Sequence, residues 1–442
     1  MNIINYARAF GDKTFSELPF NYVDGLILSQ MSYINFHLFS IESGFTKLKS
    51  LKNNPLLDNK DLYFGSVDAK DDEKLFKLMI NSRRYKNIEF GYPRLSFDEK
   101  SHKQFYAVTF LMPHNIGFIS FRGTDITMVG WREDFYIAYR DSIPGQEDAL
   151  EYIKMVTKLF QGNFYVGGHS KGGNLSIYAC LNMYKKLHPR LINVFSYDGP
   201  GFKDTIKEHP NYELLKPKVV KFLTSNDMIG VIYNNVENAK VVYSYGILLG
   251  GHDPFRWMVD PNKIDFVYAK DRSFMSKKYE EGLMSWLNTV DEEDKRLVVH
   301  VIFEMLGDST NVYDLLLKSG RLVVHGKKTW DEYTPQQRMR ARETFKKLAK
   351  YLIAAYSPKR FLQEKFLPKA IEEKQVAEQN LEKAKLEAEA SLVRAEATKK
   401  SNDLLKQSLT DELIAKQFIE KWDGKLPSTY AGDDILGIFN IK

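Results

Sequence analysis

A single cysteine, Cys180, occurs among the 442 residues, so no intramolecular disulfide can form. The opening stretch MNIINYARAFGDKTFSELPF has no signal-peptide pattern. The two together favour a reducing compartment, bacterial or eukaryotic cytosol, and a cytoplasmic location is expected. No run of about eighteen apolar residues occurs, which excludes a transmembrane helix; the longest, LVVHVIFEML and YLIAAY, fit buried helices. Charge of one sign is also scarce, with a net +6. Lys203, Lys207, Lys216, Lys218 and Lys221 form one basic region, but no nucleic-acid motif accompanies them, so a solvated surface is expected and no nucleic-acid partner. No His/Cys cluster suggests a metal, and no cofactor is expected. What is present is a large apolar fraction, 43%, with 13% aromatics, which fills a real core and excludes wholesale disorder.

The length allows about two to four folded units. Residues 19–36 carry helical spacing in Val23, Leu26, Ile27, Met31 and Ile34. The stretch KQFYAVTFLMPHNIGFISFRGTD reads as a hairpin broken at Pro113-His114-Asn115. An amphipathic helix over 147–160 precedes the strand FYVGG, and a helix from about Gly172 to Lys186 follows it. LINVFSY, PKVVKFLTSN and AKVVYSYG are further strands. This alternation between about 105 and 250 indicates a mostly parallel α/β sheet. Beyond about 256 the pattern turns helical. Residues 370–407 contain no Pro or Gly and are rich in Ala, Glu and Lys, which predicts one helix of about 55 Å. Its seam through Ala377, Leu381, Ala384, Ala388, Ser391 and Ala395 has only one bulky knob, so a solvated single helix and an intermolecular coiled coil, to itself or to a protein partner, both stay open.

The stretch FYVGGHSKGGNLSIYAC places Ser170 between Gly168 and Gly172. A G-x-S-x-G pattern arises by accident in roughly one chain in five to ten of this length. Here an apolar strand ends just before the serine and a small-residue helix starts just after it, the context that presents a nucleophilic hydroxyl on a sharp turn. Such a serine needs a base, and the base an orienting acid, in the chain order Ser, acid, His. His252, in the Gly-Gly-His-Asp-Pro loop after the last strand, is the expected base. His300 and His325 lie in the helical region, and His169 beside the serine is expected to pack locally. Two acids stand at strand ends. Asp198, inside DGPG, is read as capping its turn, and Asp227 is expected as the acid. The expected oxyanion donors are the backbone N–H groups of Lys171 and Thr124, with the Thr124 hydroxyl as a further donor.

The segments FISFRGTD, GWREDF and GGHSKGGNLSIYA resemble the class 3 lipase branch of the α/β-hydrolases, with Trp131 and Asp134 at its W-x-x-D positions. The chain resembles more closely a bacterial group of hydrolases with a G-H-S-K-G-G elbow, D-G-P-G-F and H-D-P-F, over residues 15 to about 260. The resemblance implies an α/β-hydrolase fold and a serine hydrolase cleaving a carboxylic ester, of a small molecule or a lipid. Lys171 replaces a common Leu; either its N–H alone matters or its ammonium prefers an anionic substrate. The expected organisation is a hydrolase core over 1–260, a helical domain or cap over 261–368, the long helix over 369–410 and a tail over 411–442. Phe255, Trp257, Met258 and Phe266 are expected to roof the site or simply to pack. A scaffold protein acting through the long helix is the alternative. A membrane-surface enzyme is a third reading, which the lack of a wide apolar face on that helix opposes.

Overall fold

A computed structural model describes residues 1–307, with short gaps at 40–43, 64, 235, 237 and 247–248, then 327–354 and parts of 391–421. The chain divides into two units, Met1–Lys369 and Ala370–Lys442. The long helix expected over 369–410 lies almost wholly outside the described residues. Within the tail expected over 411–442, Asp411–Lys421 is helical.

Eight strands form one sheet in sequence order: β1 Phe45–Lys47, β2 Glu89–Asp98, β3 Lys103–Met112, β4 Ile116–Phe121, β5 Phe164–His169, β6 Leu191–Tyr197, β7 Val219–Thr224 and β8 Lys240–Val242. The first four pair antiparallel and β4 to β8 pair parallel. The β3–β4 hairpin turns at Pro113–Asn115, as its sequence predicts. The helices are α1 Ile3–Phe10, α2 Tyr22–Gln30, α3 Ala69–Asn81, α4 Met128–Tyr136, α5 Pro144–Leu159, α6 Lys171–Asn182, α7 Tyr212–Leu215, α8 Leu249–His252, α9 Phe274–Thr289, α10 Glu292–Met305 and α11 Pro335–Ala354. This mostly parallel sheet with helices on both faces is an α/β-hydrolase fold.

Side chains alternate across the strands with period two, so each face of the sheet feeds its own core. Tyr106, Val108, Phe110 and Phe118 enter the core under α1, α2 and α3. Phe105, Ala107, Ile119 and Phe121 enter the core under α5 and α6. Val299 and Phe303 of α10 join that second core, so α9, α10 and α11 belong to the same unit as the sheet. The helical spacing read over 19–36 forms α2 and a 3-10 turn, Met31–Tyr33, and Val23 to Gln30 are buried on every side. Capping starts α2 where it does: Asn21 Oδ1 accepts from Val23 and Asp24 N–H, and the Asp24 carboxylate accepts the Asn21 N–H.

Asp24 also holds the N-terminal helices together. It pairs with Arg84 in a contact where both side chains are fully buried, and Tyr85 Oη donates to it at 2.6 Å. Arg84 further donates to Leu18 O at 2.8 Å. Removing one partner leaves the other charge buried and unpaired, which costs about 3–5 kcal/mol. Arg84→Met is therefore expected to lower stability by about that amount, read as a shift in the urea midpoint; an unchanged midpoint contradicts this role.

Candidate active site

Ser170 stands between β5 and α6 with φ 57° and ψ −131°, a left-handed backbone for a residue with a side chain. Such a conformation costs on the order of 1–3 kcal/mol and persists only where the surroundings over-determine it. Here they do. Ser170 N–H donates to Tyr197 O at 2.9 Å, tying the turn to the end of β6, and Gly173 N–H donates to Ser170 O at 2.9 Å. A Cβ on Gly172 would lie 2.1 Å from Phe121 O, and one on Gly168 would lie 2.4 Å from the Gly172 carbonyl carbon. The two glycines let α6 start directly against β4 and β5.

The Ser170 side chain lines a cavity of about 260 Å³, together with His252, His169, Thr124, Trp131 and Asp134. His252, which the sequence reading places in a loop, ends α8 and lines the same cavity. Its Nδ1 lies 2.6 Å from Asp198 Oδ2, so Nδ1–H donates to the carboxylate and Nε2 keeps its lone pair. Burial pushes the imidazole down, to about 4, against the pull of Asp227, Asp253 and Asp134, so it is neutral at pH 7.

The acid bonded to the imidazole is thus Asp198, where the sequence reading expects Asp227 in that role and Asp198 as a turn cap. The reason is topological. β6 is the neighbour of β5, which leads into Ser170, and Asp198 follows it with φ 54°, a conformation that Asp tolerates better than most residues. Asp227 follows β7, one strand further out, and spends Oδ1 on the Ile229 and Gly230 N–H groups of its own turn, each at 2.8 Å. Burial holds the Asp198 carboxyl up, at about 6, and pushes Asp227 well above its ordinary range.

Thr124 lies beyond the end of β4 on the cavity wall, and its hydroxyl donates to Asp134, the last position of W-x-x-D. The hydroxyl proton is therefore engaged, and the backbone N–H is what Thr124 has to offer an oxyanion. Burial raises Asp134 to about 6. Arg122, in the same RGTD segment, anchors the loop: Nε donates to Ser32 O at 2.6 Å and an η nitrogen to Asn35 Oδ1 at 2.8 Å.

Lys171 is neither a surface residue nor a cation facing the cavity. Its side chain is 1% exposed and runs the other way, with Nζ 2.8 Å from Glu133 Oε2 and 2.9 Å from Gln104 O. Glu133 in turn accepts Gly145 N–H at 2.7 Å and Gln104 N–H at 3.1 Å, so the lysine ties α6 to α4, α5 and β3.

His169 has a specific partner as well. Its Nε2–H donates to the His252 backbone carbonyl at 2.8 Å, and burial keeps it neutral. Of the aromatic residues near 256, Phe255 lines the cavity, whereas Trp257 and Phe266 pack in the core beneath the sheet. Residues missed by sequence reasoning are Asp198 as the imidazole's partner, His169 as support for the His252 loop, and Asp134 as the holder of Thr124. Only the last carried a local signal, the W-x-x-D spacing.

Residues 79–304 match the model of the Mbeg1-like family. Among curated proteins none matches the chain. Among solved structures, the M37 lipase is 15% identical, with 48% of this chain and 69% of that one covered and a TM-score of 0.33. A mutant of MDLA from Penicillium cyclopium is 12% identical, with 55% and 83% covered and a TM-score of 0.32.

Because a methyl group at 172 has no room, Gly172→Ala is expected to push α6 off β4 and to cost about 1–3 kcal/mol. Chemical unfolding checks this, and an unperturbed midpoint would mean the close approach is not required.

Proposed function

The chain belongs to the Mbeg1-like family, and from that premise we propose that it is a serine hydrolase cleaving a carboxylic ester through an acyl-enzyme. The observation that carries this reading is the His252–Asp198 hydrogen bond above the strained Ser170 turn, with Ser170 and Asp198 at the ends of adjacent strands. In the proposed mechanism Ser170 Oγ attacks the ester carbonyl carbon while His252 Nε2 takes its proton. Asp198 holds the Nδ1–H tautomer and stabilises the imidazolium that forms. The tetrahedral oxyanion accepts from the backbone N–H groups of Lys171 and Thr124. Collapse expels the alcohol, protonated by His252. Water then enters, gives its proton to His252 and releases the acid by the same steps.

The cavity supports a choice of ester. Tyr33, Val67, Trp131, Ile229, Pro254 and Phe255 supply apolar wall. Its charged lining consists of Asp68, Asp134 and Asp253, with no lysine or arginine among the described residues. With the Lys171 ammonium turned inward, an anionic substrate meets carboxylates and no cation. A volume of about 260 Å³ is below the roughly 300–1,000 Å³ of pockets for drug-sized ligands. A short, uncharged acyl chain fits this lining best.

Labelling with a fluorophosphonate probe tests the chemistry. The wild type is expected to label and Ser170→Ala to fail; an unlabelled wild type beside reactive control hydrolases removes the reading. With p-nitrophenyl esters, butyrate is expected to be cleaved faster than palmitate and faster than a succinate monoester. Because His252 acts in its neutral form and its pKa lies below 6.5, kcat/KM should persist as pH falls through 6.5. A decline centred at 6.5 or above speaks against a buried imidazole base.

A further inference from the structure

The carboxyl group of Asp227 has no part in the mechanism above, yet it is buried directly behind Asp198. Each of these two acids has one oxygen spoken for. Asp198 Oδ2 accepts from His252 Nδ1–H at 2.6 Å, and Asp227 Oδ1 accepts from two backbone N–H groups at 2.8 Å. The other two oxygens, Asp198 Oδ1 and Asp227 Oδ2, are buried and meet no N–H or hydroxyl donor among the described residues. They converge on one spot above Gly230, where an added Cβ would stand 2.6 Å from the first and 2.7 Å from the second. The two carboxyl groups thus face one another across this spot, close enough for each to act on the other's ionisation.

Two ionised carboxylates in that contact would repel and leave two buried acceptors without a donor. One proton removes both faults. Only a carboxylate at Asp198 gives His252 Nδ1–H a charge-assisted partner, and the 2.6 Å separation is short for a hydrogen bond from nitrogen. A neutral acid at Asp227 satisfies every atom: its carbonyl Oδ1 accepts the two N–H groups and its hydroxyl Oδ2 donates. We infer that Asp227 is a neutral carboxylic acid whose proton is donated to Asp198 Oδ1, and that it is a positioning residue which fixes the carboxylate facing His252.

The surroundings keep this proton in place. Ser276 Oγ on α9 donates to the Asp227 backbone carbonyl at 2.7 Å, and Ser273 N–H to Ser225 O at 2.7 Å, so the start of α9 is held against the turn that carries Asp227. The charged and titratable groups facing the pair are His252, Lys221, the Arg272–Glu280 ion pair and Tyr279. Lys221 is 1% exposed, and its ammonium lies near both acids, a counter-charge for the single negative charge they share. Burial brings it down to about 8. Burial also raises both acids.

The positioning role rests on the serine hydrolase reading; the shared proton does not, and two measurements separate them. The infrared difference spectrum of wild type minus Asp227→Asn at pH 7 should contain the C=O stretch of a neutral carboxylic acid. Its absence overturns the shared proton, whatever the enzyme does. For the role, the rate of fluorophosphonate labelling is compared across variants. The carboxamide of Asp227→Asn can still donate an N–H to Asp198, so this variant should label within about threefold of wild type, whereas Asp227→Leu should lose about tenfold or more and Asp198→Asn up to about 10⁴-fold. The wild type should also lose labelling at alkaline pH, as Asp227 ionises, with a limb absent from Asp227→Asn. Loss in Asp227→Asn as deep as in Asp198→Asn, or an unlabelled wild type, overturns the role. If Asp227→Leu does not fold, Asp227→Asn and its pH profile decide alone.

Discussion

The backbone of Ser170 adopts a left-handed, strained conformation because the ends of β4, β5 and β6 and the start of α6 meet there with no space between them. Phe121 O presses on Gly172, Gly172 on Gly168, and Tyr197 O takes the Ser170 N–H. The rest of the site is arranged around this knot. Once α6 starts against β4, Ser170 and the loop after β4 line one cavity. A strained turn survives on support from elsewhere, and the two cores on either face of the sheet supply it.

Support for the site comes from both ends of the folded unit. On the N-terminal side, α2 runs buried between the sheet and its neighbours, and the carbonyl of Ser32 just beyond it receives Arg122. On the C-terminal side, α9 closes over the turn carrying Asp227. Between them the charges are distributed in one direction. Lys171 is drawn away from the cavity by Glu133, and the cavity wall retains carboxylates. A buried cation beside Ser170 thus serves the packing of α4, α5 and α6.

How much could be read from the residues varied with the range of the interaction. The hairpin at Pro113–Asn115, the strand before Ser170 and the helix after it rest on neighbours in the chain, and periodicity with glycine punctuation marks them. His252 was accessible for a related reason: it is the histidine in the loop directly after the last strand. Asp198 was not. Both Asp198 and Asp227 end apolar strands, and both fit a turn chemically. Nothing local says that β6 rather than β7 lies beside β5, or that Asp198 takes a positive φ. The direction of the Lys171 side chain was equally hidden, because its partners Gln104 and Glu133 lie 67 and 38 residues away in the chain.

By itself, the sequence determined the fold class and marked Ser170 and His252 as candidate residues, since each follows from residue type and spacing between near neighbours in the chain. Tertiary structure alone decided which carboxylate meets the imidazole, where the lysine beside the serine points, and that Asp134 holds Thr124. These depend on strand adjacency and on buried polar groups finding donors and acceptors across the chain, a requirement that only the closed core imposes.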